Sequence, residues 1–188
     1  MRINEVSPNT LAGSFSDDLV ISKIWLIKEL ASLKDSYDTI YVLGSWFGNL
    51  AMLMVARDLG FDRIINVDLD ADALASSQAI IEKLGLDDRI SNLLADANEL
   101  DYGDLGDDGL IVNTSCNNIQ GSDWFDNIPT GTMVALQGRN NDPGAKVKQQ
   151  QAADLSSTYP LSQILFEGEI GLEDDDGTYR RFMLIGIR

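Results

Sequence analysis

Two hydrophobic periods alternate along this chain. Over Asp17–Leu33, Val20, Ile24, Ile27, Leu30 and Ala31 recur at helical spacing, which predicts an amphipathic helix capped by Ser16 or Asp17 and packed as a lid or flank. Short apolar runs then take turns with helical stretches. Strands are predicted at 39–43, 63–67 and 89–94, separated by helices over 49–59 and 71–84 that Gly60 and Gly85 close. After residue 96 the rhythm weakens, because Gly103, Gly106 and Gly109 leave only 98–102 able to turn helically. A short turn is expected there, followed by a buried strand at 109–113, a short helix at 122–127 and a fifth strand at 132–137. A loop over 138–144 leads to a helix at 146–155, and strands at 161–170 and 178–187 close the chain. The loop between those last two, 171–177, ends in an Asp-Gly pair, a hairpin signal.

Strands alternating with helices of this length need crossover connections, which are right-handed between parallel neighbours. The expected fold is therefore α/β: a doubly wound, Rossmann-like, seven-stranded, mostly parallel sheet with a C-terminal antiparallel hairpin. No repeat, low-complexity segment or linker interrupts the pattern, so residues 1–188 read as one domain, with 1–37 a helical N-terminal extension and 38–188 the core.

Composition narrows the chemistry. The chain is long enough to bury a core without staples, and 44% hydrophobic residues is an ordinary globular value. Residues 1–5 carry no apolar leader and no run approaches the roughly 18 residues a membrane span needs, so a cytoplasmic protein without a membrane partner is expected. Histidine is absent, which removes Ser-His-Asp and Cys-His constellations. Cys116 is the single cysteine, so neither an intrachain disulfide nor a cysteine-held metal is expected. Acids outnumber bases 30 to 14, for a net charge of −16. Such a field repels phosphate backbones, leaving a nucleic-acid partner disfavoured and a small-molecule substrate favoured. Lys146 and Lys148 near Arg139, with Arg180 and Arg181, are the only candidates for a local basic patch.

The chemically suggestive stretch is Tyr41-Val42-Leu43-Gly44-Ser45-Trp46-Phe47-Gly48, a strand run into a Gly-x-x-x-Gly turn, with Asp68 and Asp96 ending the next two strands. Trp46 and Asn49 rule out Gly-x-Gly-x-x-Gly, and no Gly-Lys-Ser/Thr completes a P-loop. An acid after the second strand of a doubly wound sheet suits a ribose, because one carboxylate accepts two hydrogen bonds. Asp68 could instead cap the helix beginning near Ala71, a task Asp70 could equally perform.

The run resembles the first motif of class I S-adenosylmethionine-dependent methyltransferases, and the resemblance covers about residues 38–137. It implies S-adenosylmethionine as cofactor, lying on Gly44, Ser45, Trp46 and Gly48, with Asp68 and Leu69 at the ribose, Asp96 at the adenine amino group and the Ala97 backbone at the ring. Asn113, Thr114 and Ser115 would then stand beside the transferring methyl, Asn113 also touching the cofactor, as the catalytic set. Two departures stand out. Val42 occupies the place of the family's acid, and Trp46 replaces its middle glycine, so the indole would either face the sulfonium or pack near Trp25 under the first helix. The Asn/Asp-Pro-Pro-Tyr/Phe signature of amino methyltransferases is missing from Asn113-Thr114-Ser115-Cys116.

Loops after strands four and five are where such a fold places its substrate, which nominates Cys116, Asn117, Arg139 and Asn140. Cys116 reads more simply as a buried inert thiol, and Trp124 as core. Lys23 could meet the cofactor's carboxylate or a substrate acid, although a solvated lysine is the plainer reading. The expected function is methyl transfer to an unidentified acceptor, a small molecule favoured. The alternatives are a binding or regulatory subunit without chemistry, a nucleic-acid methyltransferase, and a cofactor-using enzyme that does not methylate.

Overall fold

The computed structural model describes residues 13–103, 105–142 and 144–188; the first twelve residues of the expected extension, with Asp104 and Pro143, lie outside them. The elements are α1 (Asp17–Leu33), β1 (Ser36–Leu43), α2 (Asn49–Ala56), β2 (Gly60–Asp68), α3 (Ala71–Leu84), β3 (Ile90–Leu94) and a 3-10 turn (Ala97–Glu99). They continue with β4 (Leu110–Asn113), α4 (Asp123–Asp126), β5 (Met133–Arg139), α5 (Ala152–Thr158), β6 (Gln163–Asp174) and β7 (Gly177–Ile187).

The seven strands form one sheet in the order β3-β2-β1-β4-β5-β7-β6. All pairs from β3 to β5 are parallel, and β7 runs antiparallel to both its neighbours. The order reverses between β1 and β4, so their carboxyl ends splay apart and open the crevice in which a doubly wound fold binds ligands. Alternate residues of β1 enter opposite cores: Ile40 and Val42 pack with α1 and α2, Tyr41 and Leu43 with Trp124, Leu155 and Tyr159 on the other face.

Four local expectations are corrected. The buried stripe of α1 is Asp18, Ser22, Leu26, Ile27 and Leu30; Val20 and Ile24 are only half-buried and Ala31 is exposed. Its two buried polar side chains are satisfied, since Asp18 accepts from the Tyr179 hydroxyl at 2.6 Å and Ser22 Oγ donates to the Leu19 carbonyl at 3.0 Å. This rotation turns Lys23 toward the crevice. Helix α2 ends at Ala56 rather than at 59, and the left-handed residue after it is Asp58 (φ +53°). Gly60 instead begins β2, where a Cβ would lie 2.2 Å from the Asp35 carbonyl.

Residues 146–151 are not helical. Asn117 takes their hydrogen bonds: its carbonyl accepts from Lys146 N–H at 2.7 Å, and its Nδ2 donates to the Val147 carbonyl at 2.9 Å. The helix starts only at Ala152, where Asp154 Oδ2 accepts from the backbone N–H groups of Gln150 and Gln151 at 2.7 and 3.2 Å. The loop expected over 171–177 shrinks to Asp175-Asp176, because pairing continues through Leu172↔Tyr179 to Asp174↔Gly177. That extension, with β5 reaching Arg139, sets Arg139 directly across from Arg181.

Candidate active site

The turn after β1 is built from left-handed residues: Gly44 (φ +62°), Trp46 (φ +51°) and Gly48 (φ +72°). Gly48 is needed for space as well, since a Cβ there would lie 2.5 Å from Ser77 Oγ. Trp46 adopts a conformation that costs a bulky residue roughly 1–3 kcal/mol, and holds it because its N–H donates to Asp68 Oδ2 at 2.6 Å. Ser45 N–H donates to the Val67 carbonyl at 3.0 Å, tying the turn to the end of β2. The Trp46 ring lies 4.6 Å from Phe47 and remains 37% exposed, whereas Trp25 sits edge-on to Phe166; the indole therefore faces the crevice instead of joining Trp25.

Asp70 caps α3, accepting from Asp72 and Ala73 N–H at 3.0 Å each. Asp68 is thereby released from capping; its other oxygen accepts from Asp70 N–H at 2.9 Å, leaving lone pairs on both oxygens. Asp96 uses only Oδ1, which accepts from the backbone and side-chain nitrogens of Asn98 at 2.9 and 3.0 Å. Between these two carboxylates lies a cleft of about 710 Å³ walled by Gly44, Trp46, Val67, Leu69, Ala97 and Ile119, with Lys146 at its edge. A partly apolar cleft lined by two carboxylates can hold a nucleoside: one carboxylate for a diol, the other for an exocyclic amine. Leu69 is 69% exposed, an unusual position for leucine and one that a stacked ring would cover.

A second cleft of about 250 Å³ shares Gly44, Trp46, Ser115 and Asn118 with the first. Its remaining wall includes Ser45 and Asn49 from the glycine turn, Lys23 from α1, Thr114, and Arg139 and Arg181 from β5 and β7. Arg181 is 5% exposed; its Nη2 donates to the Thr114 carbonyl at 2.6 Å and to Gln137 Oε1 at 3.5 Å. Burial, reinforced by the Arg181 charge and only partly offset by Asp18, draws the Lys23 ammonium down to about 8.

The structure thus gathers Gly44, Ser45, Trp46, Asp68, Leu69, Asp96, Ala97, Thr114, Ser115 and Arg139 around two joined clefts. Gly48 shapes the turn from behind. Asn113 does not reach either cleft: it is wholly buried, its Oδ1 accepting from Ser115 N–H at 2.8 Å, so it positions the loop. Cys116 is also sealed in, its Sγ donating to the Asn113 carbonyl at 3.3 Å, and burial pushes the thiol up to about 12. Asn117 spends its side chain on the protein, accepting from Arg139 N–H at 2.7 Å and donating to the Arg139 and Val147 carbonyls. Asn140 Oδ1 accepts from Arg180 N–H at 2.9 Å, and Asn140 lines a separate opening of about 560 Å³ beyond Arg139. Trp124 is core, as expected. Arg181 was visible in sequence only as a basic residue on a closing strand, and nothing local marked it as a wall of the site. Among the described residues no group of three or more acids and cysteines gathers to hold a metal ion, and no helix is long and apolar enough to cross a membrane.

No family model and no curated protein matches the sequence. Solved structures do. The N-methyltransferase NodS from Bradyrhizobium japonicum, in complex with S-adenosyl-L-homocysteine, superposes with a TM-score of 0.71 at 12% identity, covering 98% of this chain and 94% of that one. Geranyl diphosphate C-methyltransferase from Streptomyces coelicolor, in complex with magnesium, geranyl diphosphate and S-adenosyl-L-homocysteine, gives 0.67 at 14% identity over 89% and 78%. The [4+2]-cyclase SpnF gives 0.62 at 15% identity over 81% and 61%. The chain has the class I S-adenosylmethionine-dependent methyltransferase fold.

Proposed function

We propose that this protein binds S-adenosylmethionine across the two clefts and transfers its methyl group to a small molecule. One observation carries the reading: the nucleoside-shaped cleft between Asp68 and Asp96 opens into the cationic one through a shared wall of Gly44, Trp46, Ser115 and Asn118. A cofactor spanning both would place its sulfonium at that wall. Bound there, it supplies an activated methyl that an acceptor can take by in-line displacement, releasing S-adenosylhomocysteine and a proton.

The chain's own part is to bind, orient and exclude water. Asp68 holds the ribose hydroxyls and Asp96 the adenine amine, while Val67, Leu69, Ala97 and Ile119 sandwich the ring. The Trp46 indole lies where it can face the sulfonium, a contact worth roughly 0.5–2 kcal/mol. Thr114 and Ser115 orient the acceptor, on a loop fixed by Asn113 behind it and by Arg181 below. The buried Cys116 thiol forms no covalent intermediate.

SpnF, which has the same fold and is named as a cyclase, supports a second reading in which the cofactor is bound but no methyl moves. Calorimetric titration with S-adenosylmethionine and S-adenosylhomocysteine tests the common premise, and binding of neither overturns both readings. Mass spectrometry of turnover mixtures separates them, since homocysteine product with a methylated acceptor appears only for a methyltransferase.

A further inference from the structure

Three cations line the second cleft, and among the described residues two of them, Lys23 and Arg181, form no ion pair with a carboxylate. Arg181 is 5% exposed, yet its Nε is buried without a hydrogen-bond partner and its Nη1 makes none. Its guanidinium donates only to neutral oxygens, those of Thr114 and Gln137, while the Asp18 charge acts on it without a hydrogen bond. Lys23 lines the same cleft and, among the described residues, forms neither a hydrogen bond nor an ion pair. Arg139 stands directly across the β5–β7 ladder from Arg181, a like-charge pairing that disfavours the fold. Arg139 does have acids beside it, Asp142 and Asp174 at 3.8 and 3.9 Å. The acid closest to Lys23 in sequence, Asp18, is engaged by the Tyr179 hydroxyl at 2.6 Å.

Burying a guanidinium without a carboxylate costs several kcal/mol unless something else supplies the charge. Scarcity of acids is no explanation in a chain with 30 of them and 14 bases. The cofactor is no remedy either. Its carboxylate is offset by its own ammonium and its sulfonium adds a further positive charge, so loading the site makes it more cationic.

On the cofactor reading above, we propose that the methyl acceptor is a small anion, a carboxylate or a phosphate, seated by Arg181 and Lys23 with Arg139 at the mouth. The free edge of a guanidinium matches either oxyanion, and the Lys23 ammonium adds a point charge beside it. The second cleft is only about 250 Å³ and is shared with the cofactor's reacting end, which leaves room for a small molecule alone. The net charge of −16 around it turns away polyanions while the enclosed cations draw a small one in.

The test is calorimetry on the full chain saturated with S-adenosylhomocysteine, at pH 7 in buffer without polyvalent anions. The probes are benzoate, its neutral counterpart benzamide, and inorganic phosphate; the variants are Lys23→Met and Arg181→Gln. Benzoate or phosphate is expected to bind and benzamide not, and which anion binds identifies the acceptor's group. Each variant should weaken that anion about tenfold or more, with S-adenosylhomocysteine affinity in Lys23→Met held within about threefold. If S-adenosylhomocysteine binds and neither anion does, the inference fails while the cofactor reading stands. Anion binding that depends on Lys23 without S-adenosylhomocysteine binding refutes the cofactor reading and keeps the anion site. An equal loss of both ligands in Lys23→Met assigns the cations to the cofactor's carboxylate and overturns the proposal. Lys23→Met carries the test should Arg181→Gln not fold.

Discussion

Replacing Lys23 by methionine should stabilise the protein. The lysine ammonium is held at about 8 against 10.5 in an unfolded chain, chiefly by burial and next by the Arg181 charge. At 1.36 kcal/mol per pH unit, that gap places the penalty for keeping Lys23 charged at about 3 kcal/mol. Methionine retains the unbranched stem and drops the charge, so urea unfolding at pH 7, without polyvalent anions, should show the variant more stable by up to about 3 kcal/mol. For a chain of this size that is roughly 6–12 °C in Tm. The pH dependence fixes the cause. Below about 8 Lys23 is protonated in both states and the whole penalty is present. Between about 8 and 10.5 the unfolded chain binds more protons than the native one, so wild-type stability rises toward that of the variant. The charged groups facing Lys23 are Asp18 on its own helix and Arg181 and Arg139 on β7 and β5. Tyr37 and Cys116, both pushed up to about 12 by burial, destabilise the fold as pH rises past their unfolded values, but equally in both proteins. A variant less stable than wild type at pH 7, or a gap that does not close between pH 8 and 10.5, would refute the account.

Three further outcomes are expected. Asp68→Ala should weaken S-adenosylhomocysteine binding more than about tenfold, or 1.4 kcal/mol, by calorimetry, because it removes the ribose acceptor and the clamp on Trp46 N–H; unchanged affinity would remove Asp68 from the site. Gly48→Ala should lower Tm well beyond Gly85→Ala. Both glycines are left-handed, at φ +72° and +65°, but only at Gly48 would a Cβ strike a neighbour, Ser77 Oγ at 2.5 Å, and equal losses would show that the collision is relieved at no cost. Cys116, with its thiol pushed up to about 12, should resist iodoacetamide at pH 8 in the native protein and react once unfolded; rapid native labelling would contradict its burial.

Wherever residues a few positions apart decide the outcome, the sequence was a sufficient guide. The alternation of strand and helix through β3 implies a parallel sheet, and the two acids fall where the runs stop, Asp68 as the last residue of β2 and Asp96 two residues beyond the end of β3. The limits of α1 follow from spacing, although its N-cap residue Ser16 makes no side-chain capping hydrogen bond, and those of α3 from spacing with Asp70 capping its start and Gly85 closing it. Apart from the early end of α2 at Ala56, the sequence's misreadings share one origin, a partner distant in the chain. Residues 146–151 have helical composition, yet Asn117, some 30 positions earlier, takes the backbone hydrogen bonds of Lys146 and Val147. The closing hairpin runs past its expected loop because each added pair is zipped by its cross-strand neighbour. Asn113 reads as a catalytic residue at a strand's end and Asn117 as a substrate-facing loop residue, but tertiary packing turns their carboxamides inward to hold the loop. Above all, Lys23 and Arg181 lie 158 positions apart and are ordinary in their local contexts. Only the closing of β7 against β5, under α1, brings them to one wall without a carboxylate, since uncompensated charge is a property of the whole neighbourhood and not of any stretch of sequence.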